Sequence, residues 1–154
     1  MHIAQALKWM DTLECRVSEL YDMFSADYAD DEEVSTIFCR LCVDEKCHQD
    51  IVQYERRLVS QNPKHFDNDS EVDVVKIQEA IESIEQLMAS EDALPVKEAV
   101  AYSIKLELDT VECYYKTAIQ LANPSTAKLI NGLGMADREH MDMLMSLSTT
   151  RGWR

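Results

Sequence analysis

Two short motifs in the sequence place an acid three residues before a histidine: Glu45 with His48, and Asp137 with His140. Residues three apart project from neighbouring positions on one face of an α-helix, so each pair can close on a single metal ion. Glu139 is also acidic, but it points about 200° away from Asp137 on a helix and should face solvent. The spacing makes both acid-x-x-His pairs candidate metal ligands.

Further acids and tyrosines recur at matching positions and indicate an internal repeat. Each copy has an acid, a tyrosine seven residues later and a second acid 31 or 30 residues after the first: Glu14, Tyr21 and Glu45, then Glu107, Tyr114 and Asp137. The chain is therefore predicted to contain two copies of one helical hairpin, whose polar residues should meet across a pseudo-twofold axis. For Glu45 and His48 alone, a hydrogen-bonded pair without metal is the simpler interpretation, and the repeat is what favours a metal site.

The candidate metal ligands are Glu14, Glu45, His48, Glu107, Asp137 and His140. Burying four carboxylates together is costly, because isolated charges are penalised in a low dielectric and these also repel each other. Two divalent cations would neutralise them, since four negative carboxylates and two neutral imidazoles balance two doubly charged ions. Mixed carboxylate and imidazole ligation suits iron or manganese, and this distribution of donors over four helices is a di-iron arrangement known in helix bundles.

Composition and charge bound what the chain can be. Its 154 residues, with 46% hydrophobic content, three glycines and three prolines, predict one all-α domain spanning residues 1–154. A net charge of −14 argues against nucleic acid or an anionic membrane as partner and favours attraction of cations. No apolar run approaches the ~20 residues of a membrane span, and the N-terminus lacks the apolar core of a secretion signal, so a cytoplasmic protein is expected.

Hydrophobic periodicity predicts four long helices and one short helix. Their expected extents are about 3–27, 30–60, 72–90, 95–122 and 123–150. Each long helix carries one candidate acid in the middle of its apolar stripe, whereas the short third helix carries none. Asp30 and Glu33 form a predicted capping box at the start of the second helix. Gly132 and Gly134 predict close helix contact in the last one.

The cysteines fit poorly with a disulfide framework. There are five of them, all within helical patterns: Cys15, Cys39, Cys42, Cys47 and Cys113. The C-x-x-C of Cys39 and Cys42 lies in mid-helix without the strand-to-helix context of a redox motif. Buried small apolar side chains are therefore expected rather than disulfides or a catalytic dithiol.

Taken together, the motifs resemble the rubrerythrin branch of the ferritin-like superfamily over nearly the whole chain. The matching stretches are "LECRVSELY", "FCRLCVDEKCH", "ELDTVECYY" and "MADREH". The resemblance implies a ferritin-like four-helix bundle with one long crossover, which the stretch 60–95 would supply together with its additional short helix. It also implies a di-iron centre that reacts with dioxygen or hydrogen peroxide, or that oxidises ferrous iron.

The resemblance also implies roles for individual residues. Glu45 and Asp137 would bridge two iron ions, with manganese or a mixed metal pair as alternatives, and Glu14 and Glu107 would be terminal ligands. Tyr21 is expected either to pack in the core with a satisfied hydroxyl or to orient a ligand carboxylate by a hydrogen bond. The same two interpretations stand for Tyr114.

Three features depart from the family pattern. Asp137 stands where the family usually has glutamate, which shortens its reach by ~1.5 Å. Thr110 occupies the place of an additional glutamate found in rubrerythrins of the peroxidase type, which weakens the expectation of peroxidase activity. No C-terminal pair of C-x-x-C motifs follows the bundle, so electrons are expected to come from a separate donor.

The sequence favours a non-haem di-iron oxidoreductase and leaves two alternatives open. One is a non-catalytic iron-binding or iron-handling protein, and the other is a metal-free helical interaction module with protonated inward acids. An apolar stripe left over on the short helix is compatible with a homodimer.

Overall fold

A computed structural model describes residues 3–66, 73–120 and 124–153, without the side chains of residues 65, 111–120, 124–126 and 129. This part of the chain is all-helical and contains no strand. Its five α-helices are α1 (Ile3–Asp27), α2 (Glu32–Gln61), α3 (Val74–Met88), α4 (Val96–Gln120) and α5 (Pro124–Thr150), and a 3₁₀ turn spans Pro63–His65. The expected end of the fourth helix at 122 and the expected start of the fifth at 123 lie outside the described residues. The five predicted helices are confirmed, and their other ends differ from the expected positions by at most two residues.

The predicted capping box at the start of α2 is wrong by one residue. The N-cap is Asp31, whose extended backbone (φ −110°, ψ 93°) lets its side chain accept a hydrogen bond from the Val34 amide at 3.3 Å. The preceding turn closes when the Asp31 amide donates to the Tyr28 carbonyl at 2.9 Å. Because Asp30 lies inside that turn, Asp31 is the first residue placed to satisfy a free amide of the helix.

Helices α1 and α2 form an antiparallel hairpin. Near their connection, the Ser25 hydroxyl donates to the Ser35 carbonyl at 3.0 Å. Towards the other end, the Gln49 amide donates to Asp11 at 3.0 Å. Helix α4 packs along α5 in the same manner, and α3 lies against α1.

Helices α2 and α5 run antiparallel to each other and join the two hairpins. At one end, the Arg151 guanidinium contacts Asp31 at 2.9 Å and Glu33 at 2.6 Å. Near the middle, His48 of α2 faces Asp137 of α5. The helices therefore pack as a bundle whose interior is closed by contacts between the hairpins.

The interior of the bundle is apolar above and below a central polar layer. Three aromatic side chains with less than 2% exposure, Tyr21, Phe24 and Phe38, fill the end near the α1–α2 connection. Apolar residues of α3 and α5, among them Ile84 and Ile130, continue the same buried cluster. Burial of this apolar surface is the main driving force for the fold, and the polar layer divides the apolar core into two parts.

Among the described residues, no helix has both the length and the apolar character that a membrane span requires.

Two expectations about small residues are wrong in part. A Cβ added to Gly132 would meet nothing within 4 Å, so this glycine is not required by close helix contact, although Gly134 is buried. Cys42 is buried and Cys15 half-buried, but Cys39 and Cys47, which lie beside the buried stripe of α2, face solvent. These four cysteines are free thiols, and the Cys113 side chain lies outside the described residues.

Candidate metal centre

The structure brings all the predicted ligand side chains to one buried layer of the bundle. Each is at most 5% exposed, and they come from four different helices: Glu14 of α1, Glu45 and His48 of α2, Glu107 of α4, and Asp137 and His140 of α5. Each acid lies on the apolar stripe of its helix, so packing of the stripes carries the carboxylates inward. The convergence follows from helical register.

The ligands form two groups that could each hold a metal ion. The four-residue group consists of Glu45, Glu107, Asp137 and His140, and the three-residue group consists of Glu14, Glu45 and His48. Within each group, one donor atom from every residue lies within 4.8 Å of the others. Glu45 belongs to both groups, which is the position expected of a bridging carboxylate. Asp137 belongs to the four-residue group only, and its bridging role stays a prediction.

Both histidines turn the Nδ1 atom towards the carboxylates. Nδ1 of His48 lies 3.1 Å from Glu45 Oε2 and 3.3 Å from Asp137 Oδ1. Nδ1 of His140 lies 2.9 Å from Glu45 Oε1 and 3.5 Å from Glu107 Oε2. The two rings stack with their centroids 5.3 Å apart. The equivalent nitrogen of each acid-x-x-His pair therefore points into the same polar layer.

Tyr21 contacts a ligand that belongs to the other hairpin. Its hydroxyl donates a hydrogen bond of 2.5 Å to Glu107 Oε1, and the ring is fully buried. Of the two interpretations of Tyr21 from sequence, the structure favours the hydrogen bond to a candidate ligand. The side chain of Tyr114 lies outside the described residues, so the matching expectation for it stays a prediction.

Several buried oxygens in this layer suit a cation. Both carboxylate oxygens of Glu14 and Oδ2 of Asp137 are buried and accept no hydrogen bond from the residues that the structure describes, whereas Oδ1 of Asp137 lies 3.3 Å from His48 Nδ1. A buried acceptor left without a partner costs free energy, and a carboxylate costs more than a neutral group. Coordination to a metal ion would satisfy these oxygens, and the carboxylate and imidazole donors are of the types that bind first-row transition metals.

Without a metal, three of the four acids hold protons more tightly than ordinary carboxyls. Burial, followed by repulsion from Glu45, raises the pKa of Glu14 well above its usual value and that of Glu107 to about 8. Burial also raises the pKa of Asp137 to about 6, although His48 opposes the rise. Desolvation of clustered carboxylates is the physical cause in all three cases.

The two histidines also have raised pKa values, whereas the pKa of Glu45 is lowered. Burial alone would lower the pKa of His48, but Asp137 and Glu45 outweigh it and raise that pKa to about 10. Glu107 and Glu45 overcome burial in the same way and raise the pKa of His140 to about 11. Burial alone would raise the pKa of Glu45, yet the two histidines lower it. In the metal-free protein, protons therefore supply the positive charge that the carboxylates require, and a metal ion has to displace them.

Two further acids of α2 were missed in the sequence. Asp44 Oδ2 lies 3.3 Å from Nε2 of His140, the ring nitrogen that points away from the carboxylate layer. Its position directly before Glu45 was the available signal, but that position does not show which helix the side chain faces. Glu55 is fully buried and lies seven residues after His48 on the same stripe, a spacing that could have identified it.

Comparisons with protein-family models, with curated proteins and with solved structures found no match to this chain.

Proposed function

We propose that the protein is a ferritin-like bundle of the rubrerythrin type with a non-haem di-iron centre, and that it acts as an oxidoreductase. The observation that carries the proposal is the pair of buried groups that share Glu45, each with donor atoms within 4.8 Å of one another. Two adjoining groups with a shared carboxylate suit two metal ions better than one.

The order of the helices supports the ferritin-like assignment. A hairpin of α1 and α2 is followed by a connection that contains α3, and then by a hairpin of α4 and α5. Four-helix bundles with one long crossover follow this order, and their di-iron sites draw ligands from the same four helices. Manganese or a mixed metal pair would fit the same donors.

The residues around the centre have definable tasks. Iron ions held there would supply the electrons that reduce dioxygen or hydrogen peroxide, or ferrous iron would itself be the substrate that is oxidised. Tyr21 fixes the orientation of the Glu107 carboxylate through its hydrogen bond. The apolar cluster on either side of the layer excludes water and so strengthens each electrostatic contact within it.

Thr110 bears on which oxidant the centre would reduce. Its side chain is 8% exposed, and its hydroxyl donates to the Leu106 carbonyl at 2.9 Å, so it serves its own helix. Thr110 thus adds no carboxylate to the centre. We therefore place dioxygen reduction and ferrous oxidation ahead of peroxide reduction.

Metal analysis with optical spectroscopy tests the centre. After anaerobic reconstitution with ferrous iron and exposure to air, the wild type should retain two iron ions per chain and show oxo-bridge absorption bands. His48→Ala should lose these bands, whereas Asp50→Ala, which removes an exposed side chain of α2, should keep them. Bands that persist unchanged in His48→Ala would refute the ligand assignment.

Kinetics separate the enzyme from its alternatives. Steady-state consumption of dioxygen or peroxide with a supplied reductant would support an oxidoreductase. A single round of ferrous oxidation without turnover would instead indicate an iron-binding or iron-handling protein. Retention of well below one equivalent of any transition metal would favour the metal-free interaction module.

A further inference from the structure

The two candidate histidine ligands have different surroundings on their outer side. Nε2 of His140 faces the carboxylate of Asp44, with 3.3 Å between Nε2 and Oδ2. The polar contacts of His48 with described residues are all made by Nδ1, and none by Nε2. A ligating histidine whose outer N–H donates to a carboxylate is fixed in tautomer and ring orientation and becomes a more basic ligand.

The repeat explains why only one histidine has this partner. Asp44 directly precedes Glu45, and the residue that directly precedes Asp137 in the other copy is Ala136. Because α2 and α5 are antiparallel, Asp44 reaches His140 across the bundle, and Ala136 occupies the mirrored position relative to His48. An alanine side chain cannot accept a hydrogen bond there, so the pseudo-twofold symmetry fails at this pair of positions.

The two groups also differ in the number of donors. The four-residue group offers three carboxylates and His140, whereas the three-residue group offers two carboxylates and His48. The extra carboxylate, Asp137, also lies against the other group, with 3.3 Å between its Oδ1 and His48 Nδ1, so the donor count alone does not separate the groups. The contact of Asp44 with His140 does, and it favours the four-residue group.

We propose that the centre binds its two metal ions in sequence, first at the four-residue group, and that Asp44 is the positioning residue that separates the two affinities. The inference rests on the proposed function, because it requires that both groups bind metal. It assigns unequal roles to the four-residue group and the three-residue group, which the two acid-x-x-His motifs alone would make equivalent. Asp44 acts through His140 and does not touch the metal itself.

Titration of the metal-free protein with Co²⁺ tests this order, since visible absorption reports each ion as it binds and no turnover is needed. The wild type should show two steps, with the tighter step first. Asp44→Ala should weaken that first step by about 10–100-fold and leave the second unchanged. Asp50→Ala removes the same charge from the exposed side of α2 and should leave both steps unchanged.

A substitution at the mirrored position gives the complementary result. Ala136→Asp should supply the missing partner of His48 and strengthen the second step by about 10–100-fold, so that the two affinities approach each other. This variant keeps the inference testable if Asp44→Ala folds poorly, which a thermal melt of the metal-free variant would reveal.

The outcomes distinguish the inference from the proposed function. Two steps of equal affinity in the wild type, or an equal weakening of both steps in Asp44→Ala, would overturn sequential binding and leave a two-metal centre in place. Binding of less than one Co²⁺ per chain in the wild type would overturn both proposals.

Discussion

The two hairpins differ in what joins their helices about one turn from the buried layer. In the α1–α2 hairpin, Asp11 accepts hydrogen bonds from Gln49 at 3.0 Å and from Gln53 at 3.1 Å, and it also pairs with Arg56. In the other hairpin, Ile104 of α4 occupies the position equivalent to Asp11, 93 residues later. The positions on α5 equivalent to the three partners of Asp11 lie 92 residues later and hold Met141, Met145 and Ser148. A polar cluster in one copy thus corresponds to a largely apolar set in the other.

This difference shows which parts of the repeat the site depends on. Both copies keep an acid on the first helix and an acid-x-x-His pair on the second, and the structure buries all of these side chains. The residues that join the helices have nevertheless diverged in chemical type. Ligand placement therefore depends on the register of the apolar stripes, whereas the surrounding contacts are free to make the two halves unequal.

The largest effect is expected at Glu45, because both groups use it. Glu45→Ala should retain no iron after anaerobic reconstitution and desalting. Glu14→Ala removes a buried acid from the three-residue group alone and should retain one equivalent. Elemental analysis of both variants measures the difference, and two equivalents in Glu45→Ala would refute the shared ligand.

A smaller effect is expected at the contact between hairpins made by Tyr21. Tyr21→Phe removes the hydrogen bond to Glu107 and should weaken metal binding at the four-residue group by about 10–100-fold. Tyr28→Phe is the matched control, since that hydroxyl donates to the Leu94 carbonyl. Co²⁺ titration compares the two variants, and equal affinities in both would assign Tyr21 to core packing alone.

Salt should affect the stability contributed by Asp11 in one hairpin differently from that contributed by Ile104 in the other. Asp11→Ala leaves Arg56 and two glutamines without their acceptor and should lower the free energy of unfolding by about 1–3 kcal/mol. Ile104→Ala at the corresponding position removes apolar contact instead. Urea unfolding at low and high salt should show that salt diminishes the cost of Asp11→Ala only, because screening weakens the ion pair. Equal salt dependence would contradict this interpretation.

The smallest effect is a change in the stability of the metal-free protein with pH. His48, with a pKa of about 10 against a usual 6.5, and Glu107, with about 8 against 4.5, bind protons more tightly when folded. Tighter proton binding by these two groups stabilises the folded state. This stabilisation is complete below their usual pKa values and is lost as pH rises through their raised pKa values. The lowered pKa of Glu45 acts in the acid range, outside this window.

Thermal melts in a chelator should therefore show a melting temperature that falls by a few degrees between about pH 6 and 9. Metal-loaded protein should lose this dependence, because metal ions replace the protons. A melting temperature that rises with pH in the metal-free protein would contradict the assignment of the raised pKa values.

Helix extents and the burial of the six candidate ligands in one layer could be predicted from the sequence because both depend on local periodicity. The stripe of each helix fixes which side chains turn inward, and the repeat identifies Glu14 and Glu107 as partners of the acid-x-x-His pairs. The cap of α2 was misplaced by one residue, because the turn before it determines which aspartate reaches a free amide.

Contacts between helices could not be predicted in the same way. Whether Asp44 reaches His140, or Asp11 reaches Arg56, depends on how two helices are rotated about each other, and periodicity does not give that rotation. The exposure of Cys39 was misjudged for a related reason. A residue one position beside a buried stripe faces either a neighbouring helix or solvent, and only the packing decides which.

Anomalous X-ray diffraction at the iron edge, on crystals of anaerobically reconstituted protein, tests the two-metal centre most directly. We expect two peaks on either side of the Glu45 carboxylate, one beside His140 and one beside His48. A single peak elsewhere, or no anomalous peak within the layer formed by the six side chains, would contradict the proposed centre.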